Sequence, residues 1–115
     1  MRKQCHNPYM PLWEHVPDGE PHVFGDRLYV FGSHDLENGN EFCEQDYVCW
    51  SAPVKDLSDW RCDGVIYKKE QDPYNQDALP LYAPDVVKGT DGRYYLYYCI
   101  KFQDSINVAV CDTPA

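Results

Sequence analysis

Two short runs, Leu28-Tyr29-Val30-Phe31 and Tyr94-Tyr95-Leu96-Tyr97-Tyr98-Cys99-Ile100, are apolar or aromatic at every position. Successive side chains of a strand point to opposite faces, so a half-buried strand alternates polar with apolar. These runs do not alternate, and both faces of the sheets they join must therefore be covered. A lone hairpin sheet cannot cover both of its faces. A sheet packed between two neighbours can. Ten Tyr, seven Gly and nine Pro in 115 residues fit short strands and frequent turns rather than helices.

The sequence predicts strands at His22–Phe24, Arg27–Gly32, Tyr47–Ala52 and Trp60–Tyr67, a four-stranded meander. Gly25-Asp26 marks the first turn, and Asn38-Gly39-Asn40 marks a loop. Residues Lys68 to Pro80 read as a long polar connection. Strand signals return at Asp85–Lys88, Arg93–Ile100 and Ile106–Cys111, with Thr90-Asp91-Gly92 as a turn. The halves resemble each other at an offset of about 61 to 66 residues: Pro21-His22-Val23-Phe24 matches Pro84-Asp85-Val86-Val87, and Ser51-Ala52-Pro53 matches Asp112-Thr113-Pro114. The expectation is an all-β β-propeller fragment. It comprises one complete blade over about residues 20–67 and an incomplete second over about 82–115, both within the N-terminal part of a single domain. A closed two-sheet sandwich is the competing fold.

A net charge of −9 argues against phosphate-backbone binding and against an anionic membrane surface. A neutral sugar remains open as a partner. No run approaches a membrane-spanning helix, and no apolar targeting segment follows Met1. That start, with Cys49, Cys99 and Cys111 inside apolar runs, predicts free thiols and a cytoplasmic location.

In a propeller the first strand of each blade lines the central axis, so residues at the starts of those strands share one funnel. Asp18 and Glu20 precede the first such strand, and Asp85 opens the corresponding strand of the second half. Two carboxyl groups around one pocket are what glycoside hydrolysis needs, one to activate water and one to protonate the leaving oxygen. Turn and strand-cap roles account for the same residues without chemistry. Trp13 and Tyr82 lie near the expected funnel and can stack on a sugar ring; packing of loops is the plainer role. Trp50 and Trp60 read as blade core. His22, after Pro21, either faces the funnel or fills an ordinary strand position. Ser33-His34-Asp35 cannot be a catalytic triad, because neighbours on a strand point to opposite faces. The Cys and His spacings match no usual zinc pattern, so no metal is expected.

Asn7-Pro8-Tyr9, Gly19-Glu20-Pro21-His22-Val23 and Gly25-Asp26-Arg27-Leu28-Tyr29 resemble the opening of glycoside hydrolase family 43 enzymes. Asp56-Leu57-Ser58-Asp59-Trp60, Tyr82-Ala83-Pro84-Asp85-Val86 and Gly92-Arg93-Tyr94-Tyr95-Leu96-Tyr97-Tyr98 are similar to later segments of that family. The resemblance implies a five-bladed propeller that hydrolyses arabinose-, xylose- or galactose-containing oligo- or polysaccharides with inversion, without an organic cofactor. Asp85 falls on the Asp that tunes the general acid. Glu20 falls where the family usually has an Asp base before Pro, and Asp18 is the substitute. Tyr82 stands where the family often has Trp, so substrate contact is implied for Tyr82 ahead of Trp13 and His22. The general acid has no counterpart here, so the chain alone is expected to be inactive. Two alternatives remain: a propeller that binds sugar without cleaving it, and a structural fragment that self-associates through its unfinished blade.

Overall fold

A computed structural model describes residues 8–115; Cys5, His6 and Asn7 lie outside the described residues. The chain forms two antiparallel sheets. The first orders β1 (Glu20–Phe24), β2 (Arg27–Gly32), β3 (Tyr47–Pro53) and β4 (Arg61–Tyr67); the second orders β5 (Leu81–Lys88), β6 (Tyr94–Ile100) and β7 (Ile106–Cys111). Gly25, at φ +65°, closes the two-residue turn that sets Phe24 opposite Arg27. Gly92, at φ +84°, lies in the longer turn, residues 89–93, between β5 and β6, where the Gly89 N–H donates to Arg93 O at 2.8 Å. The long connection holds only a 3-10 turn, Lys69–Gln71, and is ordered by Asn75, whose side chain both donates to and accepts from the Leu79 backbone.

The core lies between the facing sides of the sheets. Phe31, Tyr47 and Cys49 meet Leu81, Val86, Leu96, Tyr98 and Ile100. Phe24 packs edge-on to Tyr94 with ring centroids 5.1 Å apart. One polar chain crosses this core: the Tyr67 and Tyr98 hydroxyls are 2.9 Å apart, and Tyr98 donates to the buried carboxylate of Asp72. Burial, and then that carboxylate, hold the Tyr98 proton far above the usual tyrosine range.

On its other side the first sheet buries Val30, Val48, Trp50 and Ala52. The segment before β1 crosses there. Trp13 rests on Trp50 at 6.0 Å, and the Trp50 indole donates to Glu14 at 2.8 Å. His34 Nε2 lies 2.7 Å from the other Glu14 oxygen, so both oxygens of this buried carboxylate are engaged. The middle strands β2 and β3 are thus covered on both faces, as the unbroken apolar run of β2 requires, while Val23 of β1 and Val65 of β4 stay exposed on the outer face. On the second sheet, Val87, Tyr97, Val108 and Val110 are exposed on the face away from the core.

Three sequence expectations change. Trp60 precedes β4, stacks on Tyr9 at 4.9 Å and donates to Leu57 O, so it pins a turn and is not blade core. Cys111 is exposed although it pairs with Tyr94 on the core-facing side, because it ends the edge strand β7; Cys43, Cys49, Cys62, Cys99 and Cys111 are all free thiols. The strand predicted from Asp85 starts four residues earlier, at Leu81.

Candidate active site

Strand order determines which parts share an end of the molecule. Glu20 opens β1 opposite Phe31 near the end of β2, and Leu81 opens β5 opposite Ile100 at the end of β6. β1 and β5 therefore begin at one end, together with the loop between β2 and β3, the connection to β5, and the loop between β6 and β7. Contacts of β5 with β1 and β2 set the two first strands side by side.

At this junction His22 Nε2 lies 2.5 Å from Asp85 Oδ1, with 35% and 55% of the two side chains exposed. The residues are 63 apart, which is the offset that matches Pro21 with Pro84 and so His22 with Asp85. Equivalent positions of two repeated sheets arranged about an axis become neighbours there. The partner of Asp85 in the repeat is thus His22, whereas the sequence reading set Asp85 against the carboxylates before β1. The Val86 N–H also donates to Asp85 Oδ1, at 2.8 Å. Both contacts fall on one oxygen, and Oδ2 is not engaged by the described residues.

Glu20 is exposed and shares the His22 face of β1 by alternation, one pleat repeat or about 6.6 Å along the strand. It makes no hydrogen bond or ion pair with the described residues. Asp18 lies in the turn before β1 with φ 54°, an unfavourable value for a non-glycine residue. Its charge reaches Tyr47 and Cys43: burial chiefly raises both of their pKa values, and Asp18 adds to each. Tyr47 in turn donates its hydroxyl to Tyr82 O at 2.8 Å.

Tyr82 pairs with Cys99, and Asp85 pairs with Tyr97. Two residues of β5, Ala83 and Pro84, thus stand opposite the single residue Tyr98, which is a β-bulge. Ala83 takes φ 44°, and Pro84 is fully buried. Without the bulge, residues three apart would face opposite ways; with it, Tyr82 and Asp85 share the face away from the core. Trp13 is tied to Trp50, on the side of the first sheet away from the second, and its contacts do not bring it to the His22–Asp85 pair. Among the described residues, no group of three or more His, Cys, Asp or Glu side chains is placed to hold a metal ion.

No family model matches the chain. A xylosidase/arabinosidase of Thermoclostridium stercorarium is 62% identical over 116 residues, covering 100% of this chain and 24% of that protein. A xylosidase/arabinosidase of Bacteroides ovatus is 33% identical, covering 92% of this chain and 35% of that protein. The GH43_1 enzyme of Xanthomonas citri complexed with xylotriose superposes with a TM-score of 0.73 at 27% identity, over 92% of this chain and 31% of that one. The chain belongs to glycoside hydrolase family 43. CoXyl43, a GH43 β-xylosidase/α-arabinofuranosidase from a compost microbial metagenome, also superposes, with a TM-score of 0.72 at 26% identity over 99% of this chain and 36% of that one. The two sheets of this family 43 chain are therefore parts of a propeller. The chain spans about a quarter to a third of its curated relatives' length, 24% and 35% for the two named first.

Proposed function

We propose that the complete protein cleaves glycosidic bonds in xylose- or arabinose-containing oligo- or polysaccharides by single displacement, and that this chain supplies one side of its active site. The observation that carries the reading is the exposed Asp85 carboxylate, fixed by His22 between the first strands of two sheets. Relatives named xylosidase/arabinosidase support the substrate class.

A carboxylate before β1 takes the proton of the attacking water. This base is Glu20, which shares the His22 face of β1, or Asp18 in the turn before it. Asp85 holds a carboxylic acid from another blade in its protonated form, since a nearby negative charge raises the acid's pKa. His22 keeps Asp85 in place, and Tyr82 lies on the same face as Asp85 to receive a sugar ring. The acid comes from outside the 115 residues, so the chain by itself is inactive. Its open second sheet associates with a further copy when the remaining blades are missing.

The test is turnover of the complete protein on nitrophenyl xyloside and arabinoside. Asp85→Asn lowers kcat by about 10²-fold or more, and so does whichever of Glu20→Gln and Asp18→Asn removes the base, while the other of these two costs far less. Near-normal rates for Asp85→Asn would remove it from the mechanism. A large loss in Glu20→Gln with little in Asp18→Asn assigns the base to Glu20, and the reverse assigns it to Asp18.

A further inference from the structure

Three aromatic rings stand in solvent at the end of the sheets where β1 and β5 begin: Phe42 is 78% exposed, Tyr74 78% and Phe102 85%. They belong respectively to the loop between β2 and β3, the connection to β5, and the loop between β6 and β7. A floppy loop lowers its energy by folding such rings inward. Here the backbone beside each ring is fixed. Phe42 lies between Glu41, whose N–H donates to Glu44 at 2.7 Å, and buried Cys43, whose N–H donates to Asp35 at 2.7 Å. The Tyr74 N–H donates to Asp72 at 2.7 Å, and its carbonyl accepts from the Gln103 side chain at 3.0 Å. Phe102 is held at φ 65°, in a turn where the Gln103 N–H donates to Ile100 O at 3.0 Å. The left-handed region is unfavourable for phenylalanine, and burial of the ring does not compensate it.

The loops are also tied to one another. The Lys101 ammonium bonds the Glu41 carboxylate and lies 4.8 Å from the Phe102 ring centroid. Gln103 joins the Phe102 turn to Tyr74. Fixed apolar rings beside an ammonium and a carboxylate suit a pyranose, whose C–H face stacks on a ring while its hydroxyls bond to charged groups. The chain's charge of −9 disfavours a polyanion at the same place.

We propose that Phe42, Tyr74 and Phe102 form a stacking platform for the outlying sugars of a long neutral glycan whose scissile bond lies at the Asp85 site. The proposal rests on the glycosidase reading. In the complete protein, Phe42→Ala, Tyr74→Ala and Phe102→Ala are combined, and kcat/KM is measured on nitrophenyl xyloside and on xylohexaose. The expected result is a loss of about tenfold or more on xylohexaose with the nitrophenyl substrate unchanged, and recovery in a Phe42→Trp, Phe102→Trp variant. Equal losses on both substrates, or none on xylohexaose, overturn the platform. A matching drop in melting temperature with equal losses identifies the rings as packing for the remaining blades, which overturns it as well. If the wild-type protein cleaves neither substrate, the glycosidase reading fails by itself, and calorimetric titration with xylohexaose decides the platform. Weaker binding by the triple variant supports it, and equal or absent binding overturns it.

Discussion

Gly32 shows how one residue serves the fold through its lack of a side chain. A Cβ there would lie 2.0 Å from Val16 Cγ1 and 3.4 Å from Pro17 O. The segment before β1 can cross the first sheet only over a bare backbone. Gly32→Ala should therefore destabilise by about 1–3 kcal/mol, more than the fraction of a kcal/mol gained from a stiffer unfolded chain. Thermal melting reads this as a fall of about 4–8 °C per kcal/mol in a chain of this size. Adding Val16→Ala removes the obstructing methyl and should restore part of the loss; a double variant no better than the single one would show that the crossing does not depend on this contact. Site residues were legible unequally. Asp85 was readable because Pro-Asp recurs against Pro21-His22 in the repeat. That His22 would be its partner follows from the same repeat, but only once the two copies are known to sit side by side. Trp13 could not be placed from sequence, since nothing local says which face of the first sheet its segment crosses.

At the scale of elements, the seven strands were readable because their aromatic and β-branched runs are bounded by turn residues, and β2 and β7 agree to the residue with Arg27–Gly32 and Ile106–Cys111. The starts of β4 and β6 fall one residue later than expected, and the larger errors, at the starts of β1 and β5, each involve a proline. β1 runs through Pro21 because it is an edge strand and can spare the missing N–H. β5 runs through Pro84 because that residue sits in the bulge, where the ladder is already interrupted. The bulge is also what puts Tyr82 and Asp85 on one face. Deleting Ala83 restores plain alternation, which turns Leu81 out of the core or shifts Tyr82 away from Asp85. The expected cost is about 1.5–3 kcal/mol for exposing Leu81, read as a lower urea midpoint. Ala83→Gly keeps the bulge and accepts φ 44° more readily, so its midpoint should not fall. If the deletion were as stable as Ala83→Gly, the bulge would have no structural role.

For the whole molecule, the core's protonation sets an alkaline limit. Burial is the leading cause that raises both the Cys49 thiol and the Tyr47 hydroxyl from their ordinary values of 9.0 and 10.0. A raised folded-state pKa leaves stability intact below the unfolded value and removes it as pH climbs above. The unfolded chain ionises Cys49 from about pH 9 and Tyr47 from about pH 10, and each then takes roughly 1.4 kcal/mol per pH unit from the folded state. Stability from urea midpoints should hold up to about pH 9 and then fall toward pH 11, and Tyr47→Phe should make the fall shallower above pH 10. The second whole-molecule property is association. The middle strands of the first sheet are covered by the segment before β1 and by the second sheet, whereas Val87, Tyr97, Val108 and Val110 leave the second sheet's far face apolar and open. Strand alternation points these side chains away from the core, so they can be charged without disturbing it. Analytical ultracentrifugation of the 115-residue chain should show concentration-dependent dimers or larger species. Val108→Lys with Val110→Lys should return it to a monomer with unchanged melting temperature. A wild-type chain that stays monomeric across the whole concentration range would mean that water covers this face without penalty, and the association proposal would be lost.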